Sequence, residues 1–407
     1  MSDNHHTLTG FGSLAVHAGF QSSGHQSHLT PIHASSTYLF DSAEQGMRIF
    51  NKEEEGYVYS RWGNPSFTEA EEKIAALEGF GIEENGKPIQ LKAILHASGM
   101  GALTTILLSL LNSGDKILSH FSLYGGTHEM MEKILPGLSI GNIMMDLSHI
   151  ESAAQALQQD KSIKMLYLET PANPTLRCVD LEALTQLAHR YQIPVVVDNT
   201  FATPYLQQPF RFGVDYVLHS TTKFLNGHGT AIGGVLLGKD FSKMNGSVLK
   251  YHRLLGANSN PFDAFLLTQG MKTLELRMDR HCENASQIAM NLENHPAVDK
   301  VFYPGLSAHP DYALVKKQMR HAGPVMSFEL KGGIEAGKAF LNKLKMCKIA
   351  VSLGTCDTLI SHPASMTHIG VPKAEREKYG ITDGLIRMSV GIENIEDLWK
   401  DLNQALG

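Results

Sequence analysis

From residue 66 onward the chain alternates short apolar runs with segments in which apolar residues recur at helical spacing. Ala93-Ile94-Leu95, Lys116-Ile117-Leu118, Lys164 to Leu168, Pro194 to Val197, Tyr216 to Leu218 and Gly233 to Leu237 read as strands. The segments between them predict helices over 70–77, opened by Ser66 and Glu69 at capping-box spacing, and over 101–112. Another follows Asp180 as its cap, with Leu181, Leu184 and Leu187 on one face. Strands alternating with helices predict an α/β fold with a mostly parallel sheet covered on both faces.

A different rhythm starts near residue 265. Met278, Cys282, Ala285, Ala289 and Leu292 repeat at helical spacing until Pro296 stops the element, and Val325 to Leu330 and Leu385 to Val390 read as strands. A last helix turns Leu398, Leu402 and Ala405 inward. Residues 1–65 are instead rich in Gly, Ser, His and turn formers and carry little core of their own, yet Tyr57, Tyr59 and Trp62 are too apolar for a purely solvated tail. The expected division is an arm over 1–65, a large domain over 66–264 and a smaller domain over 265–407.

A length of 407 residues suits two or three such units, and 43% hydrophobic with 19% charged residues is ordinary for a globular protein. A net charge of −6 gives no sign of the basic patch that nucleic acid or an acidic membrane would want. No apolar stretch approaches the roughly 20 residues of a membrane span, and residues 1–20 lack the basic start and apolar core of a secretory signal. Cys178, Cys282, Cys347 and Cys356 form no CxxC pair, so a cytoplasmic protein with reduced thiols is expected. The 20 histidines include no HExxH, and His362 and His368 do not share a helix face, so no metal site is expected.

Two residues carry most of the chemical information. Lys223 stands in Leu218-His219-Ser220-Thr221-Thr222-Lys223, and Asp198 ends the apolar run Val195-Val196-Val197. Singly, such residues are usually a solvated charge and a strand cap. Together they suit pyridoxal 5'-phosphate (PLP), which needs a lysine to condense with its aldehyde and an acidic partner for its ring nitrogen. Ser98-Gly99-Met100-Gly101-Ala102, between a strand and a helix, offers close backbone and free helix-start N–H groups to a phosphate. No GxGxxG or Walker sequence occurs, which argues against a nicotinamide dehydrogenase.

Further motifs run nearly end to end: Tyr59-Ser60-Arg61 with Asn64-Pro65, Leu123-Tyr124-Gly125, Glu169-Thr170-Pro171-Ala172-Asn173-Pro174, Val197-Asp198-Asn199-Thr200, Met278-Asp279-Arg280-His281-Cys282, and His362-Pro363-Ala364-Ser365-Met366-Thr367-His368. In these the chain resembles the cysteine/methionine-metabolism (trans-sulfuration) branch of the fold-type I PLP enzymes, and within it the methionine γ-lyases. The resemblance implies a seven-stranded, mostly parallel sheet in the large domain and a smaller α+β C-terminal domain. It also implies a homotetramer of two tight dimers with shared active sites.

Residue by residue, the resemblance makes Lys223 the imine-forming lysine that also moves protons between substrate carbons, and Asp198 the partner of the ring nitrogen. Ser98, Gly99, Met100, Thr200, Ser220 and Thr222 match cofactor-binding positions, those around the phosphate above all, and Asn173 matches the residue touching the ring oxygen. Tyr124 matches the aromatic that stacks on the cofactor and handles protons at the leaving group. Tyr59 and Arg61 match residues that reach the phosphate of the neighbouring subunit, a task suited to arginine's paired donors. Arg387, set between Ile386 and Met388, matches the arginine that grips the substrate α-carboxylate. With all of these present, a non-catalytic protein on the same fold is disfavoured.

Val351-Ser352-Leu353-Gly354 bears on the reaction. Cystathionine lyases and synthases of this family generally carry a glutamate before that serine, and methionine γ-lyases a small apolar residue; Val351, beside Ser352, is therefore expected to meet a thioether tail. The expected activity is α,γ-elimination of L-methionine or L-homocysteine to 2-oxobutanoate, ammonia and a thiol. Cystathionine γ-lyase, cystathionine γ-synthase and O-acylhomoserine sulfhydrylase chemistry are the alternatives on the same machinery. Three positions depart from the methionine γ-lyase pattern: Gly126 stands where a cysteine is usual, His252-Arg253 where a Lys-Asp pair is usual, and Thr230 where an aspartate often follows Gly-His-Gly.

Overall fold

The computed structural model describes residues 8–21, 26–370, 372–378 and 380–407; the first seven residues, on which part of the leader expectation falls, lie outside these. Seven strands build the main sheet: β1 (Lys92–His96), β2 (Lys116–His120), β3 (Gly141–Met145), β4 (Ile163–Glu169), β5 (Val195–Asp198), β6 (Tyr216–His219) and β7 (Gly234–Gly238). Their order is β1-β7-β6-β5-β4-β2-β3. Strands β2 to β6 pair in parallel, and only β7 runs antiparallel to both neighbours. The fold is therefore α/β with a mostly parallel sheet.

Successive residues of these strands feed two separate apolar layers. Val195, Val197, Val217 and Leu237 join one core, while Val196, Tyr216, Leu218 and Leu236 join the other. Both faces are dry, which is why the strands read as unbroken apolar runs rather than as alternating ones. Strand β3 escaped the sequence pattern because it is an edge strand, half-buried throughout and opened by Gly141-Asn142.

The helices that matter for the site are α1 (Phe11–His17), α2 (Pro65–Glu78), α3 (Gly99–Leu110), α4 (Leu181–Arg190), α5 (Leu249–Leu255), α6 (Pro261–Met271), α7 (Leu274–Glu293) and α8 (Ile395–Leu406). Asp180 caps α4 as expected, its carboxylate accepting the N–H of Ala183 at 3.0 Å. At α2 the expected start is wrong. Asn64, not Ser66, is the cap, accepting the Ser66 N–H at 2.9 Å, because Pro65 fits the first helical turn, where its missing N–H would have no partner. The Ser66 hydroxyl instead accepts the N–H of His33.

A second sheet of five strands, β8 (Val298–Phe302), β9 (Val325–Leu330), β10 (Lys348–Ile349), β11 (Leu359–Ser361) and β12 (Leu385–Ser389), has the order β8-β9-β12-β11-β10. It packs with α8 and the end of α7 around Phe328, Met388, Leu398 and Leu402. The two bodies share α7: Leu274, Met278 and Cys282 lie in the main core, Ala285, Ile288 and Leu292 in the second. No helix among the described residues is long and apolar enough to cross a membrane.

The arm is in two parts. Helix α1 buries Phe11, Leu14 and Ala15 in the main core, whereas Leu39, Phe50 and Tyr59 stay exposed. What holds α1 is Lys73 of α2, a fully buried lysine whose ammonium donates to the carbonyls of Ala15 at 2.9 Å and Val16 at 3.2 Å. These are last-turn carbonyls, which a helix leaves unpaired. Burial pushes the Lys73 pKa down from 10.5 to about 8, with Glu69 opposing the shift. Between those two values the unfolded chain keeps a proton that the folded chain has lost, so stability rises with pH across that window. The Tm of the wild type relative to Lys73→Met is therefore expected to climb as pH is raised through about 8; thermal melts of both proteins at a series of pH values check this, and a constant difference would refute it.

Candidate active site

A parallel sheet opens a crevice beyond the carboxyl ends of its strands. Here β4, β5 and β6 end in Glu169, Asp198 and His219, and the turn after β6 carries Ser220, Thr222 and Lys223. A cleft of about 280 Å³ lies at this edge. Its walls bring together Ser98, Gly99, Met100, Tyr124, Asn173, Asp198, Thr200, Ser220, Thr222, Lys223, Val351 and Arg387, all anticipated from the sequence. Ser352 joins them through its hydroxyl, which accepts a hydrogen bond from Lys223 Nζ at 3.0 Å.

Ser98 caps α3 by accepting the Gly101 N–H at 3.0 Å, leaving the first-turn amides of Gly99 and Met100 without helical partners. A Cβ added to Gly99 would stand 2.9 Å from the Ser220 Cβ, so only glycine lets these two segments meet. Thr222 is held by a two-way exchange with Gly233, donating to its carbonyl at 3.2 Å and accepting its N–H at 3.0 Å. Helix-start amides beside serine and threonine hydroxyls make a phosphate cradle.

Asp198 is deeply set, and burial pushes its pKa up; the Thr200 N–H at 2.9 Å and the Thr200 hydroxyl, both bonded to Oδ1, work against that rise. Beside it in register on β4 is Glu169, whose carboxyl accepts the Tyr124 N–H at 2.6 Å and the Tyr167 hydroxyl at 3.1 Å. Burial first, and then the Asp198 charge, push Glu169 upward. Two adjacent buried carboxyls resist ionising together unless a cation joins them, and a protonated ring nitrogen is such a cation. In the sequence, Glu169 stands in the Glu169-Thr170-Pro171 motif without an expected role. The criterion that singled out Asp198, a carboxylate closing an apolar strand, identifies Glu169 as well.

Lys223 has its pKa lowered, mainly by burial and also by the Arg387 guanidinium. Arg387, on β12, is itself pushed down to about 10 by burial. It donates to Asn173 Oδ1 at 3.3 Å and to the Ser352 carbonyl at 2.9 Å, while its Nε is buried and has no partner among the described residues. An unsatisfied guanidinium donor out of water suits a carboxylate ligand.

The mouth of the cleft is apolar and open, with Tyr124, Ile232 and Val351 all exposed. Tyr59 and Arg61 do not line it. Arg61 lies over the Tyr59 ring and donates to the Arg253 carbonyl, and Arg253 in turn donates to the Trp62 carbonyl at 3.0 Å. Arg253 thus ties the exposed arm to α5, and its neighbour His252 is buried against the Leu95 carbonyl at 2.8 Å. At Gly126 an added Cβ would lie 2.7 Å from the Tyr124 ring, so with this tyrosine where it stands only glycine fits.

Amides and hydroxyls for a phosphate, a buried acid for a ring nitrogen and a lysine disposed to lose its proton fit PLP, and the comparisons with known proteins agree. The family model described as Cys/Met metabolism PLP-dependent enzyme matches residues 12–407. The chain is 47% identical over 399 residues to an L-methionine gamma-lyase of Fusobacterium nucleatum subsp. nucleatum, covering 98% of each. It is 43% identical to a cystathionine beta-lyase of Coxiella burnetii, covering 93% of this chain and 92% of that one. Among solved structures, cystathionine gamma synthase from Xanthomonas oryzae pv. oryzae in complex with cystathionine is similar with a TM-score of 0.90 at 38% identity, covering 98% of both chains. The chain belongs to the Cys/Met metabolism family of PLP-dependent enzymes.

Proposed function

We propose that this protein is a carbon–sulfur lyase acting on L-methionine or L-homocysteine by α,γ-elimination, so that substrate and one water give 2-oxobutanoate, ammonia and a thiol. The observation that carries this reading is Val351, an apolar side chain on the cleft wall beside Ser352 that offers a substrate tail no charge to pair with. The full-length similarity to L-methionine gamma-lyase of Fusobacterium nucleatum supports it. Bound PLP supplies the electron sink that makes substrate C–H bonds acidic.

The chain's own residues then divide the work. Arg387 holds the substrate α-carboxylate, using the Nε that lacks a partner. Lys223 Nζ, disposed by burial and by Arg387 to shed its proton, takes the Cα proton and passes it on, and only as a neutral amine again takes one from Cβ. Its bond to the Ser352 hydroxyl orients the amine. As the Cγ–S bond breaks, its electron pair leaves with sulfur, and the Tyr124 hydroxyl donates the proton that completes the thiol. With PLP bound, Asp198 would hold the ring nitrogen, Asn173 the ring oxygen, and Ser220, Thr222 and the Gly99 and Met100 amides the phosphate, while Ser98 and Thr200 hold Gly101 and Asp198 in place.

Tyr59 and Arg61 complete the phosphate site of a neighbouring subunit in a homotetramer built from two dimers. The exposure of Tyr59, and that of Leu39 and Phe50 on the same arm, supports this assignment. The arm is residues 1–65, the PLP-binding unit 66–264 and the substrate-gripping unit 265–407, in a cytoplasmic enzyme. A second reading, cleavage or synthesis of cystathionine, is favoured by Gly126 and Thr230 and by the Coxiella burnetii relative.

Side-by-side assays of methionine, homocysteine, cysteine, cystathionine and acylated homoserines, scoring 2-oxobutanoate against pyruvate, discriminate the two: methionine or homocysteine is expected to lead, and far faster cleavage of cystathionine would overturn the assignment. Lys223→Ala is expected to remove the visible absorption band of the holoenzyme along with turnover; a variant that kept both would dismiss the lysine's role. Gly126→Ala is expected to push the Tyr124 ring aside and lower kcat by about ten- to a hundredfold, the scale of an ångström-sized misplacement. A wild-type kcat in that variant would mean that the ring position does not matter.

A further inference from the structure

The strand ends that carry the site are joined from behind by a polar network that the reaction does not use. Asp198 pairs in register with Leu218 and shares its face of the sheet, whereas His219, the next residue of β6, points to the opposite face. There the His219 Nε2 lies 2.6 Å from Glu78 Oε1, at the end of α2, with both side chains fully buried. Asn199, next to Asp198, donates to the same Glu78 oxygen at 3.2 Å and to the Gln207 carbonyl at 2.8 Å. The Gln207 amide closes the circuit, donating to Asn199 Oδ1 at 3.0 Å and to the Thr170 carbonyl at 2.9 Å.

The network therefore grips one residue adjacent to each functional strand end: Thr170 beside Glu169, Asn199 beside Asp198, and His219 beside Ser220. A carboxylate and an imidazole without water access are rare in an interior and suit a place where position matters. Glu78 Oε2 and His219 Nδ1 are buried without partners among the described residues, so the pair is not there simply to satisfy polar atoms. The His219 ring also lies close enough to Asp198 to act against the burial-driven rise of its pKa.

We propose that Glu78 and His219 are positioning residues for the cofactor site, holding Asp198 and the Ser220–Lys223 turn at the spacing that PLP requires. The proposal rests on the PLP reading of the cleft. Its test measures, on purified holoenzyme, the PLP dissociation constant and the pH midpoint of the visible band for wild type, Glu78→Gln and Gln207→Leu. Lys73→Met, which alters a buried polar residue outside the cleft and the network, is the control. Glu78→Gln is expected to weaken PLP binding about tenfold, the size of effect seen when the outer partner of a ligand-holding residue is removed, and to move the midpoint. Gln207→Leu is expected to change both readouts in the same direction and decides the matter if Glu78→Gln does not fold. A lower Tm with wild-type PLP affinity and midpoint in both variants overturns the proposal. A wild type that shows no visible band with PLP would instead sink the cofactor reading, and the proposal with it.

Discussion

The site depends on charges withdrawn from water at the end of a parallel sheet. Asp198, Glu169, Lys223 and Arg387 are all displaced from their ordinary titration by burial before any other influence. Desolvation favours the uncharged form of each, and a nearby opposite charge restores the charged form. The cleft holds two acids close together and a lysine close to an arginine. That is an arrangement whose stresses a ligand carrying both a cation and anions relieves, so binding energy and chemical activation come from one source.

The seam between the two bodies runs through this cleft. Strand ends of the main sheet contribute the acid and the lysine, while β12 and the Val351–Ser352 segment contribute the guanidinium and an apolar wall. The Lys223–Ser352 and Arg387–Asn173 hydrogen bonds cross that seam.

Much of this was legible in the sequence because the strands are dry on both faces. Their apolar runs end where polar function begins, which is how Asp198 and Lys223 stood out and how Glu169 ought to have. What stayed hidden has specific physical causes. Strand β3 is half-exposed at an edge and lacks a contrast of polarity. The start of α2 was displaced by a proline whose preference for a first turn outweighed a plausible serine cap. The Glu78–His219 contact spans 141 residues, and a glutamate near a helix end reads as a solvent-facing charge until the fold covers it.

Helix α7 joins the two bodies. One continuous rod of 20 residues lends its first half to one core and its second half to the other, without a break between. Melting either body alone would strip an apolar stripe from the same rod and expose it to solvent, so neither half has an inexpensive route to partial opening. Opening of one body is thereby coupled to the other, and the geometry across the seam is inherited from the stiffness of that single rod.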